Sequence, residues 1–123
     1  MSTAKYIADI LIAKGYGSWV ATSGWSINVG KEPDAPDTTI TIYDTGGFSP
    51  AYNSCEYPTI QIRVRGKPYP VGYDRLREIR DYLINYEDAN YQINLMGDIL
   101  HLSTDDRGRS IFVCNFQIYK GVI

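Results

Sequence analysis

The segment Tyr57-Pro-Thr-Ile-Gln-Ile-Arg-Val-Arg-Gly66 alternates apolar and polar residues, and this alternation decides the fold class. Its apolar residues recur with a period of two at Ile60, Ile62 and Val64, so they share the core-facing side of a β-strand. The intervening Gln61, Arg63 and Arg65 occupy the opposite side. The segment therefore predicts a strand over residues 57–66 with one apolar face and one arginine-bearing face.

Other segments have the composition and periodicity of strands. Period-two alternation and β-branched residues predict further strands over residues 25–30, 38–43, 91–95, 99–103 and 111–119. The last of these is the longest, and its predicted core face is formed by Phe112, Cys114, Phe116 and Ile118. Glycine-containing turns at residues 96–98 and 104–110 separate the last three strands, which are interpreted as a meander.

Two segments have helical periodicity. Residues 2–14 place Ala4, Ile7, Ala8 and Leu11 on one face, with Ser2 or Thr3 as the N-cap and Gly15 as the C-cap. Residues 72–86 form the second helix after Pro68 and Pro70. At 123 residues the chain has the size of one domain. We therefore expect a single α+β domain over residues 1–123, with two helices packed on one face of a mostly antiparallel sheet.

Two connections between the predicted elements are interpreted as loops. Residues 31–37 contain two prolines and three acids and are predicted to be a surface loop. Residues 44–56 are also predicted to be irregular, because the segment includes Gly46, Gly47 and Pro50. Loops of this length are often functional, so Phe48 and Tyr52 are expected to dock against a partner. A solvated connection without a role is the alternative.

Composition restricts the functional classes. Hydrophobic residues make up 44% of the chain, enough to bury a core, and no apolar run is long enough to cross a bilayer. No secretory signal precedes the first helix, so we expect a cytoplasmic protein without a membrane partner. The net charge of −2 argues against a domain that grips nucleic acid by its overall charge. Cys55 and Cys114 are expected to be reduced thiols.

The sequence contains no recognisable catalytic or cofactor-binding motif. His101 lies inside a predicted strand without a nucleophile or carboxylate at a local spacing, and a structural role is expected. The glycines form neither a dinucleotide-binding nor a P-loop pattern. Asp98, Asp105 and Asp106 offer oxygen ligands, but the neighbouring Arg107 and Arg109 favour local ion pairs instead of a metal site. We therefore predict no catalytic residues, no metal and no cofactor.

The arginines are the candidate site. Arg63 and Arg65 share a strand face, and with Arg109 they present fork-like donors of the kind that suit protein interfaces. We hypothesise that they form a subunit interface by pairing with acids of an adjacent copy, either Asp105 and Asp106 or those of residues 32–37. A solvated outer face is the alternative. A nucleic-acid surface would need aromatic residues between the arginines.

Several blocks of sequence together resemble one protein family. These are Gly30-Lys-Glu-Pro-Asp-Ala-Pro-Asp37, Tyr43-Asp-Thr-Gly-Gly47, the segment 56–66 quoted in part above, and Asp105-Asp-Arg-Gly-Arg-Ser-Ile-Phe112 followed by Asn115-Phe116. In this order they resemble the bacteriophage minor capsid proteins that act as tail terminators, over residues 25–118. The block ending at Gly66 is the most distinctive.

This resemblance implies a protein of the virion that has no enzymatic activity. Members of this family cap the growing tail tube of long-tailed phages, form sixfold rings and join the tail to the head. The expected partners are further copies of the chain, the tail tube protein and a head-completion protein, with DNA passing through the ring without specific binding. A head-completion or connector protein is the alternative within this class. A single-stranded nucleic-acid-binding module is the alternative from another class.

Overall fold

The strand predicted around Arg63 lies inside a mixed sheet, which has seven strands within the residues that the structure describes. The computed structural model describes residues 2–51, 55–89 and 91–121, apart from the side chains of residues 48–51, 55, 56, 120 and 121. The elements are α1 (Thr3–Lys14), β1 (Ser18–Trp19), β2 (Ser26–Val29), β3 (Thr39–Ala51), β4 (Cys55–Gly66), α2 (Tyr69–Ile84), β5 (Tyr91–Leu95), β6 (Leu100–Thr104) and β7 (Ser110–Gly121).

The order of strands across the sheet is β1, β2, β3, β4, β7 and β5, with β6 also paired to β7. The pairs among β3, β4, β5, β6 and β7 are antiparallel, whereas β1–β2 and β2–β3 are parallel. The predicted α+β class with a mostly antiparallel sheet is confirmed. Strand β1 was not predicted, because two residues are too few to establish a period.

Capping residues and a proline mark the ends of the two helices. The hydroxyl of Ser2 accepts a hydrogen bond from the backbone N–H of Lys5 at 3.1 Å, and Gly15 ends α1 with φ of 96°. Both predicted caps of α1 are therefore confirmed. Helix α2 begins at Tyr69, three residues earlier than predicted. Pro70 lies in its first turn. Backbone N–H groups at this position have no intrahelical acceptor, so a proline costs the helix no hydrogen bond.

Both helices bury their apolar stripes on the same face of the sheet. The alternating residues predicted for β4 and β7 are fully buried there, as are Ile40 and Ile42 of β3. From the helices, the core receives Ala4, Ile7, Ala8, Ile10 and Leu11 of α1 and Leu76, Ile79 and Leu83 of α2. The predicted packing of two helices on one face is confirmed.

The prediction of an irregular loop over residues 44–56 is wrong. Strand β3 continues to Ala51 and pairs with β4 as far as Cys55, with register shifts after Asp44 and after Phe48. Gly46 and Gly47 have φ of 90° and 121°, so the glycines that suggested a break instead supply a β-bulge. Strand β2 ends opposite Ile42, so it does not pair with this part of β3, and a proline is tolerated on an unpaired edge.

The prediction of a meander over the last three strands is also wrong. Strands β5 and β6 do not pair with each other; they lie one after the other along the same edge of β7. Leu95 is opposite Phe116 and Leu100 is opposite Val113, with residues 96–99 between the two strands. Strand pairing of this kind depends on the non-local register with β7, which a period-two pattern does not specify.

No helix in the described part of the chain is long and apolar enough to cross a membrane.

A close contact between two glycines fixes how α2 leaves the sheet. A Cβ at Gly66, the last residue of β4, would lie 2.7 Å from the backbone nitrogen of Gly72 in α2. We expect Gly66→Ala to lower the free energy of unfolding by about 2 kcal/mol, because backbone atoms must separate to accept the methyl group. Urea denaturation measures this loss. A loss below about 0.5 kcal/mol, the size of an ordinary surface substitution, would contradict the explanation.

Candidate functional site

A loop covers part of the sheet face that is opposite the helices. We call residues 30–38 the cover loop. Several polar residues of β2 and β3 beneath it are buried, namely Ser26, Asn28, Thr39 and Thr41. The backbone carbonyl of Pro36 accepts hydrogen bonds from the Thr39 hydroxyl and from Arg65, both at 2.7 Å. The predicted surface loop is therefore a structural layer of the domain, held by polar contacts.

Arg65 is the centre of these contacts. Only 4% of this residue is exposed, yet it is an arginine of the predicted outer face. Its guanidinium also donates to the Thr39 hydroxyl at 3.1 Å and to a Glu32 carboxylate oxygen at 3.4 Å. Burial, and then the nearby positive charge of Arg109, lower the pKa of Arg65 from its ordinary value. Its donors therefore hold the cover loop against the sheet.

Glu32 joins the two arginines of β4. Its second carboxylate oxygen lies 2.8 Å from Nε of Arg63, while the first faces Arg65. The Arg63 side chain is 28% exposed and that of Glu32 is 15% exposed. Glu32 therefore compensates two neighbouring positive charges that would otherwise repel each other at the middle of the sheet.

Arg109 holds the other end of the cover loop. It is 4% exposed, and it donates to the Asp34 carbonyl at 2.6 Å and to the Asp105 carboxylate at 2.7 Å. Burial acts to lower the pKa of Arg109, but its hydrogen bonds and ion pairs with Asp105 and Asp34 outweigh this, and the pKa is raised. Arg107 adds an exposed ion pair with Asp34 at 3.0 Å.

Asp105 organises the turn that carries Arg109. Its carboxylate accepts the backbone N–H groups of Arg107 and Arg109, both at 3.0 Å, besides the Arg109 side chain. Burial acts to raise the pKa of Asp105, but these hydrogen bonds outweigh it and place the pKa below its ordinary value. The local ion pairing predicted for this turn is confirmed.

The lowered pKa of Asp105 predicts a pH dependence. A carboxylate with a lowered folded-state pKa stabilises the fold above its unfolded-state pKa, near 3.9, and loses this contribution as the pH falls through the folded-state value. We expect Asp105→Asn to be less stable than the wild type at pH 7. The difference in the free energy of unfolding should shrink as the pH falls below the unfolded-state pKa of about 3.9. Denaturation of both proteins at several pH values measures it. A difference independent of pH would contradict this role.

The structure brings together four of the predicted interface residues, Arg63, Arg65, Arg109 and Asp105. Asp106 is exposed and makes no ion pair with the residues that the structure describes. The side chain of Phe48 and all of Tyr52 lie outside the described residues. Arg63 and Arg65 pair with Glu32 of their own chain, a contact that the hypothesis of pairing with an adjacent copy did not include. Glu32 is far from β4 in the sequence, so a local sequence pattern could not predict this contact.

Several residues considered for chemistry have structural surroundings. The ring of His101 packs against Tyr69 and Phe112, with centroids 5.1 Å from each. Cys114 is a free, buried thiol, and burial raises its pKa to about 11. Within residues 2–51, 55–89 and 91–121, no group of three or more His, Cys, Asp or Glu side chains is arranged so that it could hold a metal ion. Asp98, a candidate metal ligand, pairs with Arg80 at 2.5 Å.

Sequence reasoning missed the two ends of the sheet. At one end all five residues of β6 are exposed, including Leu100 and Leu102. At the other end Trp19 of β1 and the following Val20 are exposed as well. The signal available in the sequence was the run Leu100-His-Leu-Ser-Thr104, which combines strand character with the absence of charged residues at a sheet edge.

One known protein family matches most of the chain. The family described as bacteriophage tail terminator protein matches residues 10–120, which include the cover loop, the arginines that hold it and both ends of the sheet. No curated protein matches the chain. A family match over so much of the sequence agrees with the resemblance noted for residues 25–118. The chain belongs to the bacteriophage tail terminator family.

Proposed function

We propose that this protein caps the end of the phage tail tube, stops its polymerisation and joins the tail to the head as a ring of identical copies. The family match over residues 10–120 is the observation that carries this proposal. The number of copies in the ring is six, as in the proteins that the sequence resembles. The further partners are the tail tube protein and a head-completion protein, within a virion assembled in the host cytoplasm.

The physical requirements of a tube terminator support the proposal. A tail tube is an open polymer, so the protein that ends it must match the last ring on one side and present a different surface on the other. The folded chain provides unlike surfaces: a helical layer on one face of the sheet, and a charged cover loop on part of the other. A ring through which DNA passes should also not hold phosphates tightly, and the net charge of −2 suits this.

We also propose a structural role in preference to an enzymatic or nucleic-acid-binding one. The arginines that a nucleic-acid surface would use are directed at Glu32, Asp34, Asp37 and Asp105 of the same chain. Arg65 and Arg109 are almost fully buried, so their donors are not free for phosphates. These contacts favour the terminator over a single-stranded nucleic-acid-binding module.

Electron microscopy of tube assembly tests the proposal. Purified tail tube protein of the same phage is polymerised alone, with this protein, or with an unrelated acidic protein of similar size. We expect this protein to shorten the tubes and to add visible density at one end of each. Tubes of equal length in all three mixtures, without end density, would contradict tube capping and leave the head-completion protein as the better assignment.

A further inference from the structure

We propose that neighbouring copies of this chain join through the two ends of one sheet, with the free edge of β6 against the free edge of β1 in the next copy. This inference rests on the proposed ring and assigns the surfaces that form it. Leu100 and Leu102 of one copy occupy a groove beside Trp19 and Val20 of its neighbour.

The β6 edge lacks the charged residues and prolines that commonly protect a sheet edge, although its pairing with β7 has a register shift between His101 and Ser103. Its five residues are all exposed, and β7 is its pairing partner on one side. Leu100 is 57% exposed and Leu102 is 49% exposed. Soluble proteins usually place charges or prolines on such edges to prevent association. β6 contains neither, so the edge is suited to pairing with another chain.

The β1 end of the sheet carries a matching groove. It has a volume of about 360 Å³ and is lined by Trp19, Val20, Asn28, Val29, Lys31 and Pro33. Its apolar lining fits aliphatic side chains. Trp19 is 46% exposed and Val20 is 56% exposed, and β1 itself pairs with β2 on one side.

The sheet register places the two ends level with each other. Asn28, Thr41, Arg63, Val113 and Leu100 are successive partners across β2, β3, β4, β7 and β6. The groove residue Asn28 and the exposed Leu100 therefore lie in one row of the sheet. Strand β1 runs parallel to β3 and β6 runs opposite to it, so copies arranged with the same orientation bring β1 and β6 together antiparallel.

The charges at the two ends are complementary in this arrangement. Lys31 lines the groove beyond Asn28 and makes no ion pair with the residues that the structure describes. The side chain of Asp98 is 74% exposed. Its Oδ1 pairs with Arg80 of the same chain, so Oδ2 is the oxygen that would face Lys31. Lys31 follows Asn28 in the chain and Asp98 precedes Leu100. Because β1 and β6 run antiparallel, the two charged residues lie on the same side of the shared row. Lys31 of one copy therefore faces Asp98 of the next, which helps to set the register of the contact.

A second copy is the occupant that these observations favour. The leucine edge and the groove are different surfaces at opposite ends of the same sheet, and each chain carries both. Contacts between two unlike surfaces of identical subunits are head-to-tail, and they close into a ring when the rotation per subunit permits. A two-fold dimer would instead bring the same surface of both copies together.

Substitution of the leucines tests the contact. We expect Leu100→Asp combined with Leu102→Asp to weaken self-association on the order of a hundredfold, as the loss of two buried leucines from an interface implies. Sedimentation velocity over a concentration series measures it, and circular dichroism checks the fold. The control is Ile84→Asp, which places one such charge at an exposed apolar position of α2. It should assemble like the wild type.

A charge exchange tests the register independently. Lys31→Glu and Asp98→Lys should each weaken the assembly at low salt, and the double variant should recover it. A wild type that stays monomeric at every concentration, leucine variants with wild-type assembly, or a double variant no better than the single ones would overturn the inference. The proposed function is tested separately, because the shortening of tubes in the assembly experiment does not depend on which surfaces join the copies.

Discussion

Replacing Arg65 with alanine is expected to lower the free energy of unfolding by about 3 kcal/mol. The substitution leaves the Pro36 carbonyl and the Thr39 hydroxyl without the donors that they now contact. It also removes one of the two positive charges next to the Glu32 carboxylate, which is itself mostly buried. The cover loop should then open. Urea denaturation followed by tryptophan fluorescence gives the loss of stability, and hydrogen exchange of residues 31–38 reports the opening.

Arg63→Ala is the matched control for this prediction. Arg63 is on the same strand and pairs with the same glutamate, but its side chain is 28% exposed against 5% for Arg65. A more exposed ion pair contributes less, so we expect a loss of at most about 1 kcal/mol. Equal losses in the two variants would mean that burial does not set the strength of these contacts.

Replacing Phe112 with alanine is expected to cost about 4 kcal/mol of stability. Phe112 is fully buried, and its ring contacts those of Tyr69, Tyr73 and His101 at centroid distances of 4.9, 5.8 and 5.1 Å. These contacts join α2 and β6 to the sheet, so a cavity at this position loosens both. Thermal and chemical denaturation measure the effect.

Phe112→Leu is the control, because leucine fills more of the same space. We expect less than half of the loss found for alanine. The alanine variant should also show faster hydrogen exchange in β6, where His101 rests on the Phe112 ring. A loss below about 1 kcal/mol for alanine would contradict the assignment of Phe112 to the core.

The sequence is informative where structure depends on local periodicity and capping. The alternation in β4 and β7 identified their core residues, and Ser2 and Gly15 marked the ends of α1. These features are set by residues a few positions apart. The same reasoning misassigned residues 44–56, because Gly46 and Gly47 signal a break and a β-bulge equally well, and the pairing with β4 decides between them.

The candidate site was less predictable, because its contacts join residues far apart in the sequence. Arg63, Arg65 and Arg109 were recognised as a set, but Glu32 is 33 positions from Arg65 and Asp34 is 75 positions from Arg109. Whether such charges meet within one chain or between chains depends on how the cover loop folds back. The exposed ends of the sheet were missed because edge positions follow from strand order, which alternation alone does not reveal.

Membership of the tail terminator family gives the protein a structural role in the phage tail. Its more specific assignment as the protein that sets tail length predicts a distinct phenotype. Heads and tubes grow through contacts among their own subunits, so both should still form without this protein. Termination and joining should be lost.

Electron microscopy of lysates from a phage that lacks this protein tests that claim most directly. Tail termination by this protein predicts unattached heads beside abnormally long tubes, with normal tails restored when the wild-type chain is supplied from a plasmid. Free tails of normal length that fail to attach to heads would contradict it, and would assign the protein to head completion instead.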